Sequence, residues 1–438
     1  MARVLGGSGG DVTARARLRR VVVSSAAGNV IEQYDFLLYG FIATLAFGPL
    51  FFPNFSTLAA TLASLSTFAV GFVARPLGSV VCGHYGDRIG RKSMLVMTLS
   101  VAGGSTFLMG LLPTYDSIGL WAPVLLVALR FLQGFSFGGE YGGAVLMVAE
   151  HAPAKRRGFY AGFVPAGSPA GLFLAALAVL LVSAMPRESF LAWGWRLPFL
   201  FSIVLVVIGL VIRLTVDETP AFTHVRETAT TERMPVVTVL RRHLRKVLLA
   251  SGVSFGFGTL LYVSIVFLIS YGTRSLGLPA TPFLVGILIG SVVMFATIIW
   301  TCAISDWLGR RPIIIGGALA LAVLAFPFFL LIDTGSTPLI WLAMALVLGA
   351  GGAVYGPLAP MISELFSTRL RYSGASLGYQ LGQTIGGGFS PLIATLLLTS
   401  SGGQSWIVSM YLVVAALIAA ASTYFLTETA RSELSDVP

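Results

Sequence analysis

Charge is what this chain has least of. Only 11% of its 438 residues are Asp, Glu, Lys or Arg, against 56% hydrophobic, and the mean hydropathy is +0.88. One water-soluble core cannot hide that much apolar surface, so lipid must be the solvent for most of it. Cysteine is nearly missing as well: Cys82 and Cys302 fall at equivalent predicted helix ends, which excludes a disulfide scaffold and leaves a packing role. The four histidines, His84, His151, His224 and His243, map to predicted loops with no paired ligand spacing, so neither a metal centre nor a cofactor is expected. No nucleophile, base and orienter grouping is visible, which argues against an enzyme. The first twenty residues are polar and basic, without the short apolar core of a cleaved signal. The net charge of +10 is spread over seven short segments and forms no single stripe, which excludes a nucleic-acid partner.

Apolar runs long enough to cross roughly 30 Å of hydrocarbon as helices are expected at 21–47, 58–82, 94–112, 121–147, 159–184 and 196–214, then at 247–271, 283–303, 313–332, 339–365, 373–398 and 406–426. The expectation is an all-α integral membrane protein of twelve transmembrane helices. Its parts are an N-terminal tail (1–20), a six-helix bundle (21–214), a central loop (215–246), a second six-helix bundle (247–426) and a C-terminal tail (427–438). On this map the tails and the even-numbered loops hold nearly all the basic residues, and the other side holds only Arg187 and Arg274. By the positive-inside rule both termini are cytoplasmic, in a multi-pass protein of the cell (inner) membrane. The basic cluster Arg241, Arg242, His243, Arg245 and Lys246 reads as an interfacial helix meeting anionic headgroups, with a regulatory contact as the alternative.

One phrase occurs twice: Gly83-His84-Tyr85-Gly86-Asp87-Arg88-Ile89-Gly90-Arg91-Lys92 and Cys302-Ala303-Ile304-Ser305-Asp306-Trp307-Leu308-Gly309-Arg310-Arg311. Its aspartates lie 219 positions apart, half the chain, as an internal repeat requires. Gly83 lets the second helix end close against a neighbour, Asp87 can accept from a helix N-terminus, and Arg88, Arg91 and Lys92 hold the loop at the cytoplasmic side. A gating latch is therefore expected at Gly83, Asp87, Arg88, Gly90 and Arg91, and again at Asp306, Gly309 and Arg310, against the plainer reading of a topology anchor. Cys302 replaces the expected glycine, so looser packing is expected there, and Asp87 is expected to be the stronger latch.

The doubled phrase, with Arg130-Phe131-Leu132-Gln133-Gly134, resembles two motifs of the major facilitator superfamily. Finer stretches are similar to its metabolite:proton symporter family: Gly28-Asn29-Val30-Ile31-Glu32-Gln33-Tyr34-Asp35-Phe36, Ala74-Arg75-Pro76-Leu77-Gly78, Gly138-Gly139-Glu140-Tyr141-Gly142-Gly143, Trp193-Gly194-Trp195-Arg196-Leu197-Pro198-Phe199, Glu218-Thr219-Pro220 and Arg371-Tyr372-Ser373-Gly374-Ala375. The stretches 374–380 and 386–389 look like its shikimate-transporter branch, while Gln33 stands where the family usually has Trp. The resemblance covers nearly the whole chain. It implies two pseudo-symmetric six-helix bundles, working as a monomer, that rock about a midplane cavity.

Ionisable groups inside spans are costly and face a wet cavity or the bundle interior. Glu32, Asp35, Arg75, Arg130 and Glu140 are the five, all in the first half. Helical rise puts Asp35 and Arg130 at one depth and Arg75 and Glu140 at another. Asp35 is the expected proton acceptor with Arg130 as partner, Glu32 shares its helical face, and Glu140 joins the coupling set. A nearby arginine and desolvation pull a carboxyl's proton affinity in opposite directions, so opening and closing can couple to a proton; the alternative is a permanent ion pair. Arg75 and Glu140 read as an inner gate or as the anion site. The resemblance to organic-acid carriers favours Arg75 and, less firmly, Arg196 as carboxylate binders, Arg196 having a rival reading as an interfacial anchor beside Trp193 and Trp195. From the second half, Tyr262, Tyr355, Tyr379, Gln380 and Gln383 are candidates for contacting substrate hydroxyls. The reading is a proton-coupled importer of a small organic acid, shikimate-like or related. Uptake of a dicarboxylate or zwitterionic osmolyte, drug/proton antiport and a non-transporting sensor are the alternatives.

Overall fold

The computed structural model describes residues 8–89, 91–138, 144–145, 148, 152–153, 156–214, 235–366 and 370–430. The side chains of 8–17, 83–89, 91–92, 235–237 and 371–372 lie outside that description. Twelve helices long and apolar enough to cross a membrane are found among the described residues: α1 Leu18–Phe51, α2 Thr57–Cys82, α3 Ser93–Leu111, α4 Trp121–Gly138, α5 Arg157–Ser183, α6 Gly194–Leu214, α7 Leu244–Arg274, α8 Thr281–Leu308, α9 Arg310–Asp333, α10 Thr337–Glu364, α11 Ser373–Ser400 and α12 Trp406–Phe425. An even number of spans puts the start of α1 and the end of α12 at one end of the bundle, here the terminal face.

The spans agree with the apolar runs to within several residues, except that the end expected for the fourth near 147 falls beyond the described Trp121–Gly138; the main difference in kind is at the doubled phrase. Expected as a loop, it is mostly helix: the helix containing α2 runs through Thr57–Ile89 and the next begins at Arg91. In the second copy Asp306 still lies in α8, and the break is the single residue Gly309 at φ +104°, before Arg310 opens α9. A helix need not end where hydrocarbon ends, and only glycine takes that φ without strain.

Close crossings set the spacing of the first half. A Cβ at Gly134 of α4 would lie 1.9 Å from the carbonyl oxygen of Gly71 on α2, and one at Gly138 would lie 1.9 Å from that of Arg75. Small residues at a crossing let backbones touch, as membrane helices need when apolar burial gives no net drive. One-turn π widenings at Ala43–Phe47 in α1 and Val263–Phe267 in α7 sit 220 positions apart, so the repeat extends to backbone irregularities. A third, Thr384–Gly388, brings α11 against α2, where Thr384 Oγ1 donates to the Phe72 carbonyl at 2.9 Å.

Candidate functional site

The α2–α4 crossing places two arginines in the bundle interior. Arg130 is fully buried beneath Gly71, whose Cβ, if present, would stand 2.6 Å from Arg130 Nε. Its guanidinium carbon lies 3.8 Å from the ring centroid of Phe36, 4.2 Å from Tyr39 and 5.0 Å from Phe68. Arg75, one turn beyond Phe72 on α2, lies 3.8 Å from the same Phe36 centroid, 4.6 Å from Phe72 and 5.5 Å from Phe137. One phenyl ring thus serves two cations, which can be no more than twice that distance apart. Aromatic faces attract guanidinium most when desolvated. They do not satisfy its donors: Nε and Nη2 of both arginines are buried without a hydrogen-bond partner. Such donors are costly in a dry interior and favour any anion that reaches them.

Asp35 is buried on α1 but does not bond Arg130, and neither arginine's charge acts on its carboxyl. Both its carboxyl oxygens lack a hydrogen-bond partner. The expected ion pair is replaced by an indirect link: Arg130 Nη1 donates to Gln133 Oε1, and Gln133 Nε2 donates to the main-chain oxygen of Asp35 at 3.3 Å and to Thr106 Oγ1 at 2.7 Å. Successive helical residues point about 100° apart, so Phe36, facing the arginines, turns Asp35 towards Thr106 of α3. The Thr106 hydroxyl donates instead to Ala102 O at 3.0 Å. Glu32, also buried, is within electrostatic reach of Arg75 and Arg213. Glu140, its expected companion in coupling and gating, lies outside the described residues.

The second half closes the site with aromatic and hydroxyl groups. Tyr262 packs edge-on against Phe72, centroids 5.1 Å apart, and interacts electrostatically with Arg75 and Arg130. Tyr355 stacks flat on Phe257 at 4.5 Å, shares a hydrogen bond across the halves with Ser168 at 3.0 Å, and accepts from the Tyr379 hydroxyl at 3.4 Å. Asn29 Nδ2 donates to Ser168 Oγ at 3.2 Å. Gln380 keeps a buried, unpartnered Oε1, whereas Gln383 donates to Ser254 O at 3.3 Å and serves helix packing. Arg196 makes the contacts of the anchor reading: its Nη1 donates to Gly110 O at 2.9 Å and Leu112 O at 2.5 Å, closing the carbonyl end of α3, and its guanidinium lies 4.5 Å from the Trp195 ring. A cation there meets the negative end of the helix.

At the terminal face the second copy of the doubled phrase joins the halves. Asp306 accepts the N–H of Gly158 at 2.8 Å and of Phe159 at 3.0 Å, both in the first turn of α5, and pairs with Arg310 at 2.9 Å. A carboxylate at a helix N-terminus meets orphan donors and the positive end of the dipole. Arg310 also reaches Glu364 at 3.4 Å, so the second half does carry a buried ion pair, at its helix ends and not midspan. Cys302 overturns the looser packing expected of it. It is fully buried, and a Cβ at Gly162 would come 2.7 Å from its Sγ and one at Gly356 3.0 Å. Two glycines opposite make room for the larger side chain. In the first copy Gly90, and the side chains of Gly83, Asp87, Arg88 and Arg91, lie outside the described residues.

Glu428, beyond α12, caps α9 by accepting the N–H groups of Arg310 at 2.9 Å and Arg311 at 3.0 Å. Partial burial pushes its carboxyl up, but backbone donors from Arg310, Ala430, Arg311 and Thr429 outweigh that and hold it below the ordinary carboxylate value. A carboxyl whose pKa is depressed on folding stabilises above its unfolded value, and the gain fades as pH falls through the folded one. Glu428→Gln should therefore lower thermal stability near neutral pH by about 1 kcal/mol or less. Its deficit against the unaltered chain should close as pH falls from the ordinary carboxylate range through the lower folded value; thermal melts giving a pH-independent deficit would assign the cap no charge contribution.

Sequence reasoning missed Phe36, Gln133, Ser168, Phe257 and Glu364. The Phe68, Phe72 and Arg75 spacing on one helical face was the available signal for the aromatic cage.

The family model described as Major Facilitator Superfamily matches residues 35–379. The shikimate transporter of Escherichia coli (strain K12) is 41% identical over 424 residues, covering 95% of this chain and 96% of the relative. The inner membrane metabolite transport protein YhjE of the same organism is 40% identical, covering 87% and 88%. The Salmonella typhimurium proline/betaine transporter is 35% identical, covering 97% and 87%. Among solved structures, the proton:xylose symporter XylE bound to a bromodeoxyglucose superposes with a TM-score of 0.75 at 17% identity, over 97% of this chain and 98% of that one, a likeness of fold alone. With twelve spans, a doubled motif and relatives matched end to end, the chain belongs to the Major Facilitator Superfamily, among its shikimate and metabolite transporters, and is a membrane transporter and not an enzyme.

Proposed function

We propose that this transporter imports a compact organic acid together with a proton, with a shikimate-like hydroxy acid as the first candidate. The observation that carries the reading is the pair Arg75 and Arg130, buried around Phe36 with unpartnered donors on both. Guanidinium binds carboxylate through two parallel hydrogen bonds and stays charged in a dry site. Arg75 takes the carboxylate, while Tyr262, Tyr355, Tyr379 and Gln380 orient hydroxyls from the facing wall. Asp35 carries the proton, since protonation removes a buried charge that would otherwise oppose rearrangement of the bundle; Glu32 and Glu140 complete the coupling set. The halves 21–214 and 247–426 rock as two units within a monomer, with both termini cytoplasmic, the Asp306 contact with α5 holding that face shut, and the Asp87 copy playing the matching part.

The name of the shikimate-transporting relative supports this substrate class, and the relatives named for glycine betaine and proline favour a zwitterion as the second reading. Uptake of radiolabelled shikimate, 2-oxoglutarate, citrate and proline betaine into proteoliposomes separates them: saturable uptake of betaine alone would overturn the organic-acid reading. Within that reading, Arg75→Lys keeps the charge but loses the planar fork, so KM for the acid should rise about tenfold, the equivalent of about 1.4 kcal/mol. Unchanged uptake kinetics would remove Arg75 from carboxylate binding.

A further inference from the structure

Two basic residues on the face away from the termini, Arg187 and Arg274, far apart in sequence, line one cavity. Arg187, on the short helix Arg187–Ala192 after α5, and Arg274, at the end of α7, both border an open space of about 580 Å³ at the seam between the halves. Both are exposed. Arg187 Nη2 donates to Leu45 O at 3.0 Å. Arg274 crosses the seam, Nη1 donating to Thr57 O at 3.2 Å and to Thr61 Oγ1, and Nη2 to Thr44 O at 3.4 Å. Every one of these acceptors is neutral. No carboxylate lines the cavity, and neither guanidinium has an acidic partner among the described residues. A cleft with charges of one sign focuses its field and raises the local concentration of the opposite ion. The volume suits a small metabolite. Arg274 also borders a second space of about 260 Å³ with Thr57 and Thr61, so the same guanidinium holds the seam and meets whatever enters.

We infer that this cavity is an outer anion-capture site, distinct from the central arginine pair, for the carboxylate of the incoming acid. Arg187 supplies a standing charge. Arg274 exchanges its bonds to Thr44, Thr57 and Thr61 for the carboxylate, so that capture loosens the outer seam. The inference rests on the organic-acid reading above.

The test is the initial rate of shikimate uptake into phosphatidylcholine proteoliposomes at about 0.02 M and about 0.3 M salt. At low salt Arg187→Gln should raise KM about three- to tenfold with little change in maximal rate, Arg187→Glu should raise it further, and Arg187→Lys should stay near the unaltered chain. High salt should collapse the differences. Arg274→Gln should raise KM and also change the maximal rate, because it removes a bond across the seam. A KM that ignores charge at position 187 overturns the site alone. An effect seen only when phosphatidylglycerol is added assigns the arginines to lipid headgroups and overturns it as well. Absence of shikimate uptake by the unaltered chain overturns the shikimate-like acid reading together with this site, so the two failures are distinguishable.

Discussion

Asp35→Asn should abolish gradient-driven accumulation of substrate and leave exchange of labelled for unlabelled substrate intact. The substitution keeps the shape of a side chain whose carboxyl has no hydrogen-bond partner to lose, so the helix and its neighbours should not change. What goes is a central carboxyl that can take a proton without breaking a hydrogen bond. A gradient of one pH unit is worth about 1.4 kcal/mol per proton, which sustains about tenfold accumulation at one proton per substrate; the variant should settle at equal concentrations inside and out. Full accumulation by the variant would move coupling to Glu32 or Glu140.

Gly134→Leu should prevent the first half from assembling. Its Cβ would fall 1.9 Å from the Gly71 carbonyl, a backbone atom that cannot swing aside, and a clash of that kind costs on the order of 3 kcal/mol or more. Even Gly134→Ala meets the same obstacle. Gly104→Ala is the matched control, because a Cβ there finds nothing within 4 Å, and alanine is the better helix former. Monodisperse, thermally stable Gly134→Leu protein in detergent would show that the α2–α4 crossing has more room than its geometry allows.

Hydropathy and the doubled phrase make the twelve spans legible, because each span must satisfy its own backbone in lipid and advertises itself by length and composition. Depth along each helix is legible too, which is why Asp35, Arg75 and Arg130 are found at the heart of the bundle. Azimuth is not. Counting rise says that Asp35 and Arg130 share a level but not that Phe36 occupies the face towards the arginine while Gln133 mediates the link. Gln380 and Gln383 share a face by spacing, yet their partners differ, with Ser254 on a neighbouring helix claiming the second. Cys302 packs tightly because Gly162 and Gly356, more than fifty residues away in either direction, face it. Arg196 and Arg274 were separable only by which carbonyls stand nearby in three dimensions. Residues whose roles depend on partners from distant spans are those the sequence leaves open.

The central claim is that the buried carboxyl of Asp35, linked to Arg130 only through Gln133, couples proton entry to acid entry at the arginine pair. Its most direct measurement follows uptake of labelled shikimate into proteoliposomes carrying a trapped pH-sensitive dye, with and without an inside-alkaline gradient. The account predicts that the gradient accelerates uptake and that adding shikimate acidifies the interior. Uptake indifferent to the gradient, with no proton entering alongside the substrate, would contradict it.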